Sequence, residues 1–405
     1  MIYDVVIIGA SASGMSAAVA AARKKHTVLL LEANEELGKK IKVTGNGRCN
    51  LANSYFDRDC VRSDNRAFLD RFFHEGSYTR VLDFFLSLGL SCVEKNGYYY
   101  PHSLEATSVI RAFDAALFSL GVEVLYKRKV KSVVKEDTKF IVDCDDQSYE
   151  GRNVILATGG LAYPKGGSDG SGYALAESFG IDLVETKPAL VPLLSDASIC
   201  NTLAGVRYPA KATLKVKGMD IASEEGEVQF TDYGLSGIVI FNLSRMVNRA
   251  LEKSMGDAVI SLDLMPDYSF DELVSHFDYL IMNAGHIKTG DFLECLYPKK
   301  LAGVLLEKCG FRYGIKAKSL GVDDIRKLAR VSKELEFHIT GSKGYDMAQT
   351  TAGGISLDEM NDDFSCKKVQ GLYAVGELLD VDGKCGGYNL TFAILSGIKA
   401  GENIS

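Results

Sequence analysis

Several marks of a nucleic-acid-binding or membrane protein are absent from this chain of 405 residues. Its formal net charge is −7, and no stretch concentrates Lys and Arg. Without such a positive patch we expect no nucleic-acid partner. The chain also lacks an uncharged apolar run of the roughly 18 residues that a transmembrane helix needs, so we expect no membrane span.

Clustered cysteines are lacking too. The nine cysteines are scattered without a CxxC pair, which argues against a zinc site or a thioredoxin-like motif, and we expect no metal. An odd number of unclustered thiols fits a reducing compartment. The first residues carry neither the basic region nor the long apolar core of a signal peptide, because Asp4 follows at once. We therefore expect a cytoplasmic protein.

The first segment that carries chemistry is "DVVIIGASASGMSAAVAAARKKHTVLLLEA", which starts at Asp4. It predicts a buried strand, a glycine turn, a helix and a second buried strand, which together form a βαβ unit. Gly9 allows the tight turn and Gly14 allows close packing of helix on strand, so that the helix N-terminus can bind a pyrophosphate.

Two residues of this unit decide which dinucleotide it suits. Ser11 stands where the GxGxxG fingerprint has its second glycine, and its hydroxyl could donate to a pyrophosphate oxygen. Glu32 ends the second strand, where a carboxylate accepts hydrogen bonds from ribose hydroxyls. That acid disfavours the 2′-phosphate of NADP. The order of these features predicts a dinucleotide site.

Further along, the pattern predicts an α/β protein with an interrupted first domain. Helical spacing extends from Asn65 to Leu88 and over residues 106–120. The segments "VEVLY" and "VKSVVKEDTKFIVDC" predict a small antiparallel meander before the buried strand "NVILATGG".

The middle of the chain has a different pattern. Apolar residues alternate from Val206 to Val216, and a helical pattern covers about 268–334. Glycine-rich sequence returns near Ala352. We predict a Rossmann-like domain at residues 1–189 and 346–405, a β-rich domain at 190–266 and 335–345, and a helical insert at 267–334.

FAD is the dinucleotide that this organisation favours. Besides the first unit, glycine clusters occur in "KVTGNGRCN", in "ATGG" and in "GLYAVGELLDVDGKCGGYNL" at the C-terminal end. Separate segments that converge on one nucleotide suit a long ligand. No second GxGxxG unit is evident, so a nicotinamide cofactor would bind only transiently.

The motifs "TGNGRCN" (44–50), "ATGG…YPKGGSDGSGY" (157–173), "GEVQFTDYGLSG" (226–237) and "GLYAVGELLDVDGKCGGYNL" (371–390) carry a family resemblance over nearly the full length. The chain resembles the bacterial aminoacetone oxidase and bile-acid-reductase-like NAD(P)/FAD-dependent oxidoreductases. That resemblance implies a Rossmann-like FAD domain interrupted by a β-barrel-like domain with a helical insert. It also implies an FAD-dependent oxidoreductase that cycles between NAD(P)H and a small organic acceptor, with oxygen-dependent amine oxidation or non-catalytic flavin binding as alternatives.

The resemblance further implies which residues contact FAD. Glu32 would bind the adenosine ribose, the Val130 backbone the adenine, and Glu377, assisted by Asp380, the ribityl or pyrophosphate region. The amides of Gly387, Tyr388 and Asn389 would face the isoalloxazine N1–C2=O edge. The full set expected at FAD is Gly9, Ser11, Ser13, Gly14, Glu32, Ala33, Gly45, Asn46, Gly47, Arg48, Cys49, Asn50, Val130, Ala157, Thr158, Gly159, Gly376, Glu377, Asp380, Gly387, Tyr388, Asn389 and Leu390.

Catalytic candidates are few, and each has a structural alternative. Arg48 could bind a substrate carbonyl or the flavin, or form an ion pair that ties its loop. Cys49 has no partner cysteine nearby, so packing is the simpler explanation than redox chemistry. Tyr388 is a candidate proton donor. The stretch "GGSDGSGY" from Gly166 could cradle a phosphate but is better explained as the start of a helix.

Overall fold

The computed structural model describes residues 1–252, 258–284 and 286–404. They form two compact units, one from Met1–Ala189 together with the residues from Ala348 onward, and the other from Leu190–Met347. Each unit has a hydrophobic core of its own. Among the described residues, no helix has both the length and the apolar character to cross a membrane.

The helices of the described residues are α1 (Ala12–Arg23), α2 (Arg66–Phe72), α3 (Ser77–Ser87), α4 (Ala106–Ser119), α5 (Ser171–Glu177), α6 (Ile199–Leu203), α7 (Ile238–Glu252), α8 (Phe270–Ala284), α9 (Thr289–Glu294), α10 (Lys299–Cys309), α11 (Val322–Lys333) and α12 (Tyr388–Glu402). The strands are β1 (Ile2–Ile8), β2 (Val28–Leu31), β3 (Ala52–Asn53), β4 (Val61–Arg62), β5 (Cys92–Lys95), β6 (Tyr98–Pro101), β7 (Glu123–Leu125), β8 (Val130–Glu136), β9 (Lys139–Cys144), β10 (Ser148–Leu156), β11 (Leu183–Ala189), β12 (Leu193–Ser195), β13 (Arg207–Val216), β14 (Met219–Thr231), β15 (Gly234–Ser236), β16 (Ala258–Asp263), β17 (Leu335–Ser342), β18 (Thr350–Ile355), β19 (Leu372–Ala374) and β20 (Asp382–Gly383).

The first unit is built on a seven-stranded sheet in the order β7-β2-β1-β10-β9-β8, with β19 paired to β10. β1 pairs in parallel with both β2 and β10, and all four residues of β2 are buried. Strands buried on both faces explain the continuous apolar runs of the sequence. The parallel strands end together at one edge, which is where ligands bind in α/β sheets.

Helices α1 and α12 pack with their backbones in close contact. A Cβ atom at Gly397 would lie 2.1 Å from the Ser13 carbonyl oxygen, and one at Gly401 would lie 2.3 Å from the Ala17 carbonyl oxygen. Helix α12 therefore lies directly against the first turns of α1, and only glycine permits this approach at the two positions.

The second unit contains a closed barrel, β12-β15-β14-β13-β16-β17. In β13, Ala210, Ala212, Leu214 and Val216 are buried while Lys211 is exposed, as the alternating pattern predicts. Helices α8 to α11 follow β16 and precede β17 along the chain. The Rossmann-like sheet and the barrel confirm the predicted fold class.

Three predicted elements were wrong or missing. Strand β7, expected in the antiparallel meander, pairs in parallel with β2 and lies at the edge of the main sheet. The helix expected from Asn65 to Leu88 is two helices, because Gly76 has a left-handed φ of 89°. Helix α7 lies where only a β-rich region was expected, and its buried residues include Val239, Leu243 and Val247, spaced at four residues.

Candidate functional site

A long cleft opens at the carboxyl edge of the parallel strands of the first unit. It spans about 1310 Å³, including space open to solvent. It is lined by residues that follow β1, β2 and β10, by the segments after Gly38 and Arg128, and by the C-terminal segment from Glu377 to Ala393. These segments, which are distant in sequence, line one volume. The sequence predicted such a convergence of distant segments.

The glycine turn after β1 is held against the end of β10. A Cβ atom at Gly9 would lie 2.5 Å from the Ala157 carbonyl oxygen, and one at Gly14 would lie 1.9 Å from the Gly9 carbonyl oxygen. The geometry therefore agrees with the tight turn predicted at Gly9 and the close packing predicted at Gly14. Ala12 and Ser13, in the first turn of α1, line the cleft, where helix amides have no intrahelical acceptor. This cradle fits the pyrophosphate of a dinucleotide.

Ser11 caps helix α1. Its Oγ accepts from the Gly14 amide at 3.3 Å and donates to the Ala157 carbonyl at 3.0 Å. The hydroxyl that the sequence suggested as a donor to pyrophosphate is therefore directed at the end of β10. Ser11 still lines the cleft, so its small size matters there.

Glu32 is buried at the end of β2 and lines the cleft. One carboxylate oxygen accepts from the Ala10 amide at 2.8 Å, and the other accepts from the Asn34 amide at 2.8 Å and from the Asn34 side chain at 2.7 Å. The carboxylate thus joins the loops after β1 and β2 and has lone pairs left for a ribose.

The loop before α5 forms part of the wall near Val130. Residues 166–169 and Ser171 line the cleft, and Lys129 Nζ binds Asp169 Oδ2 at 2.6 Å. Burial opposes ionisation of Asp169, but bonds from Lys129 and Ser171 outweigh it and lower the pKa to about 2. The stretch "GGSDGSGY" thus both precedes helix α5 and borders the cleft.

Glu377 lines the cleft and is bound by two residues, Thr351 and Lys40. Its Oε1 accepts from the Thr351 amide at 3.1 Å and from the Thr351 hydroxyl at 3.0 Å, and its Oε2 lies 2.5 Å from Lys40 Nζ. A Cβ atom at Gly160 would lie 2.5 Å from the Thr351 hydroxyl oxygen. The second glycine of "ATGG" is therefore required by this network.

Helix α12 begins at Tyr388, close to the predicted start. Asn389 and Leu390 line the cleft, and the Asn389 side chain bonds both backbone groups of Gly383, at 2.8 and 3.0 Å. Tyr388 is buried outside the lining; its hydroxyl donates to the Tyr55 carbonyl at 3.0 Å, and burial raises its pKa well above the ordinary tyrosine value.

The "GNGRCN" loop lies beside the cleft rather than in its lining. Arg48 is exposed, and Cys49 is fully buried. Burial raises the pKa of the Cys49 thiol to about 12, which favours packing over thiolate chemistry. Thr44, just before this loop, does line the cleft.

Twelve of the residues predicted at FAD line the cleft: Gly9, Ser11, Ser13, Glu32, Ala33, Val130, Ala157, Thr158, Gly159, Glu377, Asn389 and Leu390. Eleven do not: Gly14, Gly45, Asn46, Gly47, Arg48, Cys49, Asn50, Gly376, Asp380, Gly387 and Tyr388. Gly376 packs behind the lining, where its Cβ position is 2.4 Å from Ser13 Oγ. Asp380 is buried elsewhere and accepts from the Asp64 amide at 2.7 Å.

Sequence reasoning missed several lining residues, among them Gly38, Lys39, Lys40, Ile41, Thr44, Gln349, Val381 and Phe392. The pair "KK" at Lys39 and Lys40, directly after a predicted nucleotide unit, was the available signal. Within residues 1–252, 258–284 and 286–404, no group of three or more His, Cys, Asp or Glu could hold a metal ion.

Comparison with known proteins places this geometry in a family. The model of the HI0933-like protein Rossmann domain matches residues 3–403. The 3-dehydro-bile acid delta(4,6)-reductase of Clostridium scindens is 37% identical over 399 residues, 98% of this chain and 97% of the relative. The ribosomal RNA dihydrouridine synthase of Escherichia coli is 28% identical over 400 residues, 96% of this chain and 95% of the relative.

A solved structure shares the fold. The 3-ketosteroid delta1-dehydrogenase from Sterolibacterium denitrificans, in complex with 1,4-androstadiene-3,17-dione, superposes with a TM-score of 0.53 at 13% identity and covers 100% of this chain and 99% of that one. The chain belongs to the HI0933-like family and is an FAD-dependent oxidoreductase.

Proposed function

We propose that FAD lies along the cleft of the first unit, with its adenosine near Glu32 and Val130. Its pyrophosphate then meets the N-terminus of α1, and its ring extends toward Asn389 and Leu390. The shared lining supports this orientation, because Glu32 and Val130, the first turn of α1, and Asn389 with Leu390 all border one cleft. The N-terminus of α12 would stabilise negative charge at the ring edge.

We further propose that the reaction is NAD(P)H-dependent reduction of a carbon–carbon double bond conjugated to a carbonyl group, in a small apolar molecule. FAD supplies the two-electron hydride chemistry when bound. The cleft itself is the main observation behind this proposal, because its lining residues suit one extended dinucleotide. All nine cysteines are free thiols, and Cys49 is buried, which gives no support to a thiol relay.

The substrate class is inferred from what two relatives have in common. The names "3-dehydro-bile acid delta(4,6)-reductase" and "ribosomal RNA dihydrouridine synthase" both describe addition of hydrogen to an unsaturated ring. The nearer of these two in identity acts on a small molecule, and a net charge of −7 disfavours a polyanionic substrate. We therefore favour a polycyclic enone over RNA. Oxygen-dependent amine oxidation and non-catalytic flavin binding are the alternatives.

An anaerobic reduction assay tests this proposal. Purified protein should be yellow and should release FAD on denaturation, and NADH or NADPH should bleach the flavin. The reduced protein should then be reoxidised by a 3-keto-Δ4 steroid but not by the matched saturated ketone, which lacks the double bond. Bleaching by an amine with rapid reoxidation by oxygen would favour the oxidase. Reoxidation by a uridine-containing RNA alone would replace the small-molecule substrate, and no bleaching by either nicotinamide would overturn the proposed donor.

A further inference from the structure

Lys40 lines the cleft together with Lys39, Arg128 and Lys129, and an ion pair holds its ammonium group in place. Its side chain is only 25% exposed, while that of its partner Glu377 is 19% exposed. The pair is separated by 337 positions in sequence and is joined at 2.5 Å. A partly buried cation is screened less by salt than a fully exposed one, so its charge can act on an anion in the same cleft.

Thr351 holds the Glu377 carboxylate independently of Lys40. Its other oxygen accepts two hydrogen bonds from Thr351, whose hydroxyl in turn accepts from the amides of Leu161 and Ala162 at 2.9 and 3.0 Å. The carboxylate therefore has little freedom to turn toward a ligand. Such a rigid acceptor is suited to holding an ammonium group in one place.

Lys40 lines the same cleft as the N-terminus of α1, and the turn that carries Glu377 contacts that helix. Gly376, the residue before Glu377, packs on Ser13 in the first turn of that helix. An ammonium group has three N–H donors, and the bond to Glu377 uses one of them. Two donors are thus left for a ligand in the cleft that the first turn of α1 also lines.

We propose that Lys40 binds the cofactor directly by donating to the FAD pyrophosphate, and that Glu377 is the positioning residue that holds its ammonium group. The inference rests on the proposed function, because it takes FAD to be the occupant of the cleft. It changes the role that the family resemblance implied for Glu377, from ligand contact to anchor.

Binding of FAD to apoprotein tests the inference, with fluorescence quenching giving the Kd. Loss of a charge-assisted hydrogen bond in Lys40→Met should raise the Kd about 10- to 100-fold. Lys40→Arg should bind within about threefold of wild type, because the charge is kept. The increase of Kd with NaCl should be less steep in Lys40→Met than in wild type. The reduction potential of the bound flavin should be the same in all these proteins.

Lys42 provides a matched control. It lies in the same loop and also pairs with a glutamate, Glu36, but it is outside the cleft lining. Lys42→Met should leave the FAD Kd within about twofold of wild type. Lys40→Gln, which keeps a donor toward Glu377, takes the place of Lys40→Met if the latter does not refold.

Three results separate the possible failures. An unchanged Kd in the neutral Lys40 variants, with FAD bound normally by wild type, would overturn the role of Lys40 alone. A changed reduction potential with an unchanged Kd would place Lys40 at the flavin ring and likewise overturn it. Wild-type protein that binds no FAD would instead overturn the proposed function.

Discussion

At the scale of single residues, Ser11 shows how a departure from the glycine fingerprint is accommodated. Ser11 is the N-cap of α1 and bonds the end of β10. We expect Ser11→Gly to keep FAD, because glycine is also accepted at an N-cap and costs only about a few tenths of a kcal/mol. Ser11→Leu should lose FAD because its side chain would occupy the cleft. FAD titration checks both variants, and tight binding by the leucine variant would contradict the placement of the pyrophosphate.

Cys49 carries a prediction about reactivity. Because burial raises its pKa to about 12, the folded protein should protect Cys49 from iodoacetamide at pH 8, while exposed Cys295 reacts. Peptide mass spectrometry before and after unfolding in urea measures this. Rapid alkylation of Cys49 in the native protein would show that the thiol is accessible and would reopen a redox role.

The same thiol makes stability depend on pH. Its pKa is about 12 when folded against a usual value of 9.0, so its contribution to the free energy of unfolding is complete below pH 9. That contribution is lost as pH rises from about 9 toward 12, because the unfolded chain releases the proton first. Urea titrations of wild type and Cys49→Ala across this interval should show a shallower decline in the variant. Identical slopes would contradict the burial of the thiol.

At the scale of elements, the contact between α1 and α12 is a close packing constraint in the first unit. Gly397→Ala should lower the free energy of unfolding by about 1–3 kcal/mol, because a Cβ atom there meets the Ser13 carbonyl. Gly303→Ala is the control, since nothing lies within 4 Å of its Cβ position in helix α10. That change should be neutral or stabilising by up to about 1 kcal/mol. Urea denaturation followed by circular dichroism measures both; equal effects would contradict the close approach.

The sequence predicted those elements whose pattern lies within their own segment, and it missed those that depend on distant partners. Helix α1 and strand β13 follow from spacing within one segment, so periodicity is enough to find them. The edge strand β7 was misplaced because its parallel partner, β2, lies about ninety residues earlier and leaves no mark on the strand itself. In the site, Gly9 and Glu32 have a motif of their own. Lys40 does not, because its position depends on Glu377 and Thr351, which only the folded chain brings near.

At the scale of the whole molecule, the second unit is an insertion whose two ends meet. Ala189, the last residue of β11, pairs with Thr350 of β18, and the Lys343 amide donates to the Pro192 carbonyl at 3.0 Å. Each unit has a separate core. We therefore expect that replacing residues 190–347 by a short glycine-containing turn leaves a domain that still binds FAD. Flavin absorbance after gel filtration checks this; a colourless, aggregated product would show that the first unit does not fold alone.

The C-terminal segment that completes the cleft has a consequence for folding. The turn at Gly9 and the wall from Glu377 to Ala393 are far apart in sequence, while α12 covers the first turns of α1. Six of the seven strands of the main sheet lie within residues 2–156, but the end of β10 gains its second neighbour only when β19 pairs with it. Contacts so distant in sequence form slowly. We therefore expect flavin to bind late in refolding, after this segment has docked.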